Sequence, residues 1–435
     1  MKRYILTALG IGALVALAVI TLYFLRAFEN PTDWLSKLWA SRGMFRGNGI
    51  QRAIWLEVTV ILIASMGVAW ALIDITQFSQ KLLVLIASAL VIFGISPTLA
   101  LYGYLFEPFS SLTAVLLSGI SALIFAGTER GMRKRVLERV LGTRVSRKTF
   151  NALMDSPSPP EFGGATREVT VLTCRILNHD SLREQVPAAD LLKMSNLFIR
   201  STSSFLVSKG AYLDESGPDQ VRVFFGVLKD SSNHAEVASR VALELRGRLE
   251  ILAQECQTRF FHQLDCGTGL CSGQVNVGVY GANHQYHFSA VGNVIESSRR
   301  LAITNSRYRS GILMSAATYQ QVKDMITVRP MEMFYEPQTE VMSEIYQPTT
   351  LTADQSAEQQ NRDESFWHAI VHYRARDFHK AIEQLHRAEH PGREDGPIQF
   401  FLDKCQSALD NPAGTYIDGQ HEMVNNNHTQ PIDLM

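Results

Sequence analysis

Residues 5–25 read ILTALGIGALVALAVITLYFL, and this run without a single charge limits the chain more than any other feature. A helix rises about 1.5 Å per residue, so a run of this length spans the ~30 Å hydrocarbon core of a bilayer. In lipid every backbone polar group must be bonded internally, which favours a helix. Lys2 and Arg3 precede the run and Arg26 follows it. A signal peptide is the alternative reading. Against it, no small-x-small cleavage pattern follows, and three more apolar segments do, at 54–73, 82–106 and 108–128. Residues 1–128 are therefore read as an α-helical membrane region of four spans.

Only Glu107 separates the last two segments, which predicts a tight hairpin there. Pro97 predicts a kink in the third span. Glu57, near the start of the second, either reaches the interface or faces the bundle. Four spans put both termini on one side. The run ERGMRKR at 129–135 is basic, and the positive-inside bias places it and everything after it in the cytoplasm. The expected location is thus a bacterial inner (cytoplasmic) membrane. The loop 26–52, with Lys37, Arg42 and Arg46, runs against that bias, but a whole soluble region follows the other run. Trp34, Leu35, Leu38 and Trp39 have the spacing of a short helix lying in the interface.

Residues 129–155 form a connector. Met132, Val136 and Val140, with Leu137 and Leu141 beside them, make a short helical stripe. It suits a surface helix or a parallel coiled coil between two chains. Ser146 is placed to cap a second helix carrying Phe150, Leu153 and Met154. DSPSPPEFGG then marks a boundary. Net charge is −1, so no basic field argues for a nucleic-acid partner. The five cysteines are irregularly spaced and lie after the apolar region, which favours core thiols over disulfides or a zinc site.

Beyond the linker, REVTVL reads as a strand and Leu191 to Leu206 as a helix. GAYLDESGPDQVRVFFG reads as two strands around a turn, Asn233 to Leu252 as a helix, and GTGLCSGQVNVGVYG as a hairpin. The order β-α-β-β-α-β suits an α+β ferredoxin-like sandwich over 156–350. These segments, together with GNVIESSRRL and in this order, resemble the class III nucleotidyl (adenylate and guanylate) cyclase domain. GTRVSRKTFNALM resembles the segment preceding such domains, and the three helices from Ile54 to Thr128 resemble those that often follow an extracytoplasmic sensor module in that family.

The resemblance implies a dimer with shared active sites. In each, two Asp hold two Mg²⁺ or Mn²⁺ ions, Lys and Asp or Thr select the base, and Asn and Arg support the transition state. Carried over residue by residue, Asp219 stands at the second metal carboxylate, Ser289 at a base-selecting position and Arg300 at the transition-state Arg. The other positions depart. Arg175 replaces the first metal Asp, Asn178 the Gly of the phosphate turn, Glu215 the base-selecting Lys, and Glu296 the transition-state Asn. Arg175 is expected to pair with Asp219 where metals would sit. His284 and His287 are read as loop residues.

Residues 351–364 are polar and read as a linker, 365–410 as short tetratricopeptide-like helices, and 411–435 as a disordered tail. One such helical unit buries little core alone, so it is expected to pack on the domain or on a partner. The expected protein is a membrane-anchored, catalytically degenerate cyclase homologue acting as a regulatory, scaffolding or assembly subunit. It is expected to hold no cofactor, with nucleotide binding doubtful, and to work as a homodimer or within a larger membrane complex. The alternative is an active adenylate or guanylate cyclase using Mg²⁺ or Mn²⁺.

Overall fold

The computed structural model describes residues 2–43, 51–52, 54–75, 77–156, 162–228, 231–282, 285–336, 341–392 and 394–410. It falls into two compact units, Met1–Arg139 with Phe150–Pro159, and Val140–Thr149 with Pro160–Met435.

The first unit contains α1 (Lys2–Phe24), α2 (Glu29–Ser41), the two-residue strand β1 (Gln51–Arg52), α3 (Ile54–Asp74), α4 (Phe78–Ala100), β2 (Tyr104–Leu105) and α5 (Pro108–Gly127). Among the described residues, α1, α3, α4 and α5 are long and apolar enough to cross a membrane. Small residues bring them together. The buried face of α5 carries Ser110, Ser111, Ala114, Ser118, Gly119, Ala122 and Ala126. A Cβ added at Gly12 of α1 would lie 2.6 Å from the Met66 Cα of α3, so only glycine allows that approach. The outward faces remain apolar, as at Leu14, Ile63, Leu90 and Ile124.

The third span differs from expectation. It covers Phe78–Ala100 rather than 82–106. Residues 101–103 turn, with Gly103 at φ +84°, and Tyr104–Leu105 then pair in parallel with Gln51–Arg52. The connection to α5 is therefore a loop of several residues, not a tight hairpin at Glu107. The helix expected around Trp34 is α2. It packs its own bundle through buried Leu35 and Trp39, and the Trp39 Nε1–H donates to Ser96 Oγ of α4 at 3.3 Å. Arg46 lies outside the described residues.

The connector holds α6 (Glu129–Leu141) and α7 (Arg147–Asp155). Ser146 Oγ accepts from the Thr149 N–H at 3.1 Å, the expected cap. Leu137, Val140 and Leu141 are buried while Val136 is exposed; the Met132 side chain and most of the Pro/Ser linker lie outside the described residues.

The second unit is an α+β domain. Its elements are β3 (Ala165–Ile176), α8 (His179–Gln185), α9 (Ala188–Ser208), β4 (Tyr212–Ser216), β5 (Gln220–Phe225), α10 (His234–Phe260), β6 (Cys266–Ala282), β7 (Gln285–Val291), α11 (Asn293–Tyr308), β8 (Ile312–Ser315), α12 (Ala316–Val322), β9 (Ile326–Glu336) and β10 (Val341–Leu351). The strand order is β4-β5-β3-β6-β8-β10-β9, with β7 also on β6. GTGLCSGQVNVGVYG is one long strand and not a hairpin. Its first half runs parallel to β8 and its second half antiparallel to β7. Its glycines explain the length. A Cβ at Gly269 would lie 2.1 Å from the Ser298 carbonyl oxygen, so α11 can rest on β6 only where side chains are missing.

Strand β3 is covered on both sides, because side chains alternate between faces. Leu172, Cys174 and Ile176 join the core with α9 and α10. On the other face Thr173 Oγ1 shares a hydrogen bond with Ser298 Oγ of α11 at 2.7 Å. Burial pushes the Cys174 thiol up to about 12, in keeping with a core thiol. His287 sits on β7 and not in a loop; His284 lies outside the described residues.

Three helices close the unit: α13 (Ala357–Arg374), α14 (Phe378–Ala388) and α15 (Gly396–Asp410). The stretch 351–364, expected to be a linker, is largely helical. Ser356 caps α13, and Asp363 is buried against Arg329 of β9 at 2.8 Å. Polarity there serves an internal ion pair rather than solvent. Phe366, Ile370, Leu385 and Phe401 form one core with Leu301, Met331, Phe334 and Ile345, so these helices pack on the sheet domain. Residues 411–435 lie outside the described residues.

Candidate functional site

The β4–β5 turn lies against the end of β3. The Ile176 N–H donates to the Asp219 carbonyl at 2.8 Å, and Arg175 pairs with Gln220 in register. This pairing brings the two side chains together. Arg175 Nη2 lies 3.0 Å from Asp219 Oδ2, with the side chains 18% and 25% exposed. A guanidinium offers donors only and cannot coordinate a cation. The one carboxylate here is thus engaged by a fixed positive charge.

Asn178 follows directly and does not form an open phosphate turn. Its amide donates to the Gln263 carbonyl at 2.9 Å, and its Oδ1 accepts from the Asp265 N–H at 3.0 Å. The side chain ties the end of β3 to the start of β6.

A second group centres on Asp214, which the sequence reading left without a role. A register shift between Leu213 and Glu215 marks a bulge at Asp214, and its side chain is buried. Arg222 Nε donates to Asp214 Oδ2 at 2.8 Å, the Ser289 hydroxyl donates to Oδ1, and the Arg144 guanidinium donates to the Asp214 carbonyl. Glu215, 45% exposed, lies 2.8 Å from Arg222 Nη2 and accepts from Gln220 at 3.2 Å. Asp214 and Glu215 thus share Arg222, and the Ser289 hydroxyl is committed inward. The available signal was the acidic pair in GAYLDES beside a lone Arg two residues into the next strand.

The third group is on α11. Arg299 grips Glu296 with two bonds, Nε at 2.8 Å and Nη2 at 2.5 Å, and Arg300 Nε lies 3.3 Å away. Arg299, through its hydrogen bonds, and then Arg300 hold the Glu296 carboxyl below the usual carboxylate range against the opposing effect of burial. Arg300 therefore meets a carboxylate of its own helix. Arg299 was missed because only a helical placement reveals its alignment three residues from Glu296.

The structure thus sorts the seven residues into three neutralised sets, each carrying its own ion pair or clamp. No group of three or more His, Cys, Asp or Glu suited to a metal occurs among the described residues. A cavity of about 770 Å³ lies elsewhere, between α10, β10 and the start of α15, and includes none of the seven.

Several known proteins are similar to this chain over part of its length. Adenylate cyclase 1 of Rhizobium meliloti (strain 1021) is 25% identical over 173 residues, 39% of this chain and 26% of that protein. An uncharacterized protein of Mycobacterium bovis is 24% identical over 209 residues, 45% of this chain and 35% of that protein. The chain is thus similar over part of its length to an adenylate cyclase. Among solved structures, the guanylyl cyclase Cya2 is similar at 20% identity and a TM-score of 0.41, over 44% of this chain and 96% of that one. The adenylyl cyclase CyaB from P. aeruginosa matches at 22% and 0.40, over 44% and 99%. No family model matches. The chain spans about a quarter to a third of the length of the first two curated relatives.

Proposed function

We propose that this chain is a membrane-anchored, non-catalytic relative of the cyclases that works as a regulatory, scaffolding or assembly subunit. One observation carries the reading, the Arg175–Asp219 pair at 3.0 Å. It stands where the resemblance calls for two carboxylates around two divalent cations. The residues do not fit Mg²⁺ or Mn²⁺, because one carboxylate is missing and the other is already paired. If the cations supply several kcal/mol of transition-state stabilisation, their loss costs about 10³-fold or more in rate. Glu215 and Glu296 stand where the resemblance calls for Lys and Asn, and Glu296 engages Arg300, the one transition-state residue retained, which argues against nucleotide binding as well.

The four apolar helices supply the anchor, and the basic run at 129–135 supports a cytoplasmic placement of the cyclase-like unit at a bacterial inner membrane. The role left to such a chain is contact, with a second copy or with a larger membrane complex. A different chain is the favoured partner, since a homodimer of inactive domains has no chemical output.

Two experiments test the reading. The variant carrying Arg175→Asp, Glu215→Lys and Glu296→Asn should gain cyclic-nucleotide production over the natural chain; failure to gain any would show that the lost side chains are not the cause. Extraction in mild detergent at native expression, followed by size measurement and identification of co-purifying chains, should give an assembly larger than one chain. A clean monomer without partners would defeat the contact role.

A further inference from the structure

Two carboxylates lie inside the membrane unit, at the end where α3 and α5 begin. Glu57, in the first turn of α3, is 2% exposed, and Glu107, immediately before α5, is 4% exposed. Burying such groups is costly, and within a membrane bundle they mark function more often than stability.

Their surroundings differ. Glu57 has a donor for each oxygen: the Tyr23 hydroxyl of α1 donates to Oε2, and the Glu107 backbone N–H donates to Oε1 at 2.8 Å. Each Glu57 oxygen therefore has its hydrogen bond satisfied. The Glu107 carboxyl is bordered by the Ser110 backbone N–H and the Thr32 side chain of α2. The Thr32 hydroxyl, however, donates to the Phe28 carbonyl at 2.6 Å. Glu107 Oε1 and the Ser110 hydroxyl are each buried without a hydrogen-bond partner. One side of this carboxyl thus lacks a donor, next to a second carboxylate.

Among the described residues the charged groups facing Glu107 are Glu57 of α3 and Arg52 of β1, and Arg52 is exposed to solvent. Arg26 and Asp33, at the α1–α2 junction and on α2, are exposed, and Glu29 is partly exposed. From α4 the nearby polar group is Ser96, which carries no charge and bonds to the Phe106 carbonyl at 3.0 Å. Burial first, then the charge of Glu57, pushes Glu107 up to about 7.

We propose that Glu107 is a proton-binding site, with the Glu57 carboxyl as its neighbour and α2 as its cover. An added proton removes the charge from a carboxyl whose Oε1 has no donor, and with it the repulsion from the Glu57 carboxyl. Losing it places two anions under α2, which is held over the bundle by Leu35, Trp39 and the Trp39–Ser96 bond. The helix that carries Glu57 in its first turn ends at Asp74, whose carboxylate lies 2.7 Å from Lys134 of the connector. Proton loss at one end of α3 is therefore placed to reach the connector at the other.

The test uses the full chain in lipid nanodiscs. Infrared difference spectra across roughly pH 5 to 9 report a protonated carboxyl, and the fluorescence of Trp39, with the other tryptophans replaced by Phe, reports α2. The natural chain should lose a protonated-carboxyl band with a midpoint near neutral pH, and Trp39 should change with the same midpoint. Glu107→Gln, which mimics the protonated form, should abolish both transitions. Glu57→Gln, which keeps Glu107 but removes its anionic neighbour, should lower the midpoint and so tests the idea even if the first variant does not fold. A carboxyl band that does not titrate in this range, or one unchanged in Glu107→Gln, would overturn the proposal.

Discussion

The Arg175–Asp219 pair is the feature most open to direct measurement. At 3.0 Å the bare attraction is about 1.4 kcal/mol in water and about 5.5 kcal/mol at an effective dielectric constant of 20. Desolvation removes much of the larger figure. Fully exposed pairs yield about 0.2–1 kcal/mol, and stranding one partner of a buried pair costs about 3–5 kcal/mol. With each side chain about a fifth exposed, the coupling should fall between these limits, at about 1–2 kcal/mol. The perturbations are Arg175→Met, Asp219→Asn and the double variant. Urea unfolding of the full chain in mild detergent provides the assay, read through Trp367, which is the only tryptophan after residue 70. Its indole N–H donates to the Val328 carbonyl at 3.0 Å, so its environment changes when the sheet domain opens. The coupling should fall only partly in high salt, since the pair is mostly covered. A coupling below about 0.3 kcal/mol would refute the reasoning, because Asp219 would then be as available to a cation as an unpaired carboxylate.

Other outcomes follow from the same geometry. Gly269→Ala should cost about 3 kcal/mol or more by urea unfolding, because the added Cβ meets a backbone oxygen that cannot yield. Asp214→Ala should cost about 1–3 kcal/mol, because the buried Ser289 hydroxyl and Arg222 Nε lose their acceptor although Arg222 keeps Glu215, while Glu215→Ala, at an exposed position, should cost under about 1 kcal/mol. Arg329→Met should destabilise the docking of α13–α15 by about 3–5 kcal/mol, seen as faster hydrogen exchange there, since it strands Asp363 and Asp395. Glu296 has a lowered folded pKa, so its contribution is present above the unfolded value and is lost as pH falls through the folded one; Glu296→Gln should flatten the pH dependence of stability in that acid window.

Long periodic elements were legible in the sequence because their patterns are dictated by burial. The four apolar helices and the strand and helix order of the cyclase-like unit belong to this class. Less legible were features set by a few local bonds. The third span ends at Ala100 because a turn and a two-residue ladder take over, although residues 101–106 remain apolar. The polar stretch before Phe366 reads as a linker until Arg329 supplies the partner for Asp363. At the candidate site the resemblance singles out the positions, and strand pairing brings Arg175 and Asp219 together. Asp214 escaped notice because a bulge turns it inward, and no periodicity announces a bulge.

The central claim is that the natural chain lacks cyclase chemistry, and the most direct test is turnover. The full chain, purified in mild detergent, is incubated with ATP or GTP and Mn²⁺, and cyclic nucleotide is quantified beside the Asp219→Ala variant. The account predicts that the two give the same trace signal. Clear production by the natural chain that disappears in Asp219→Ala would contradict it.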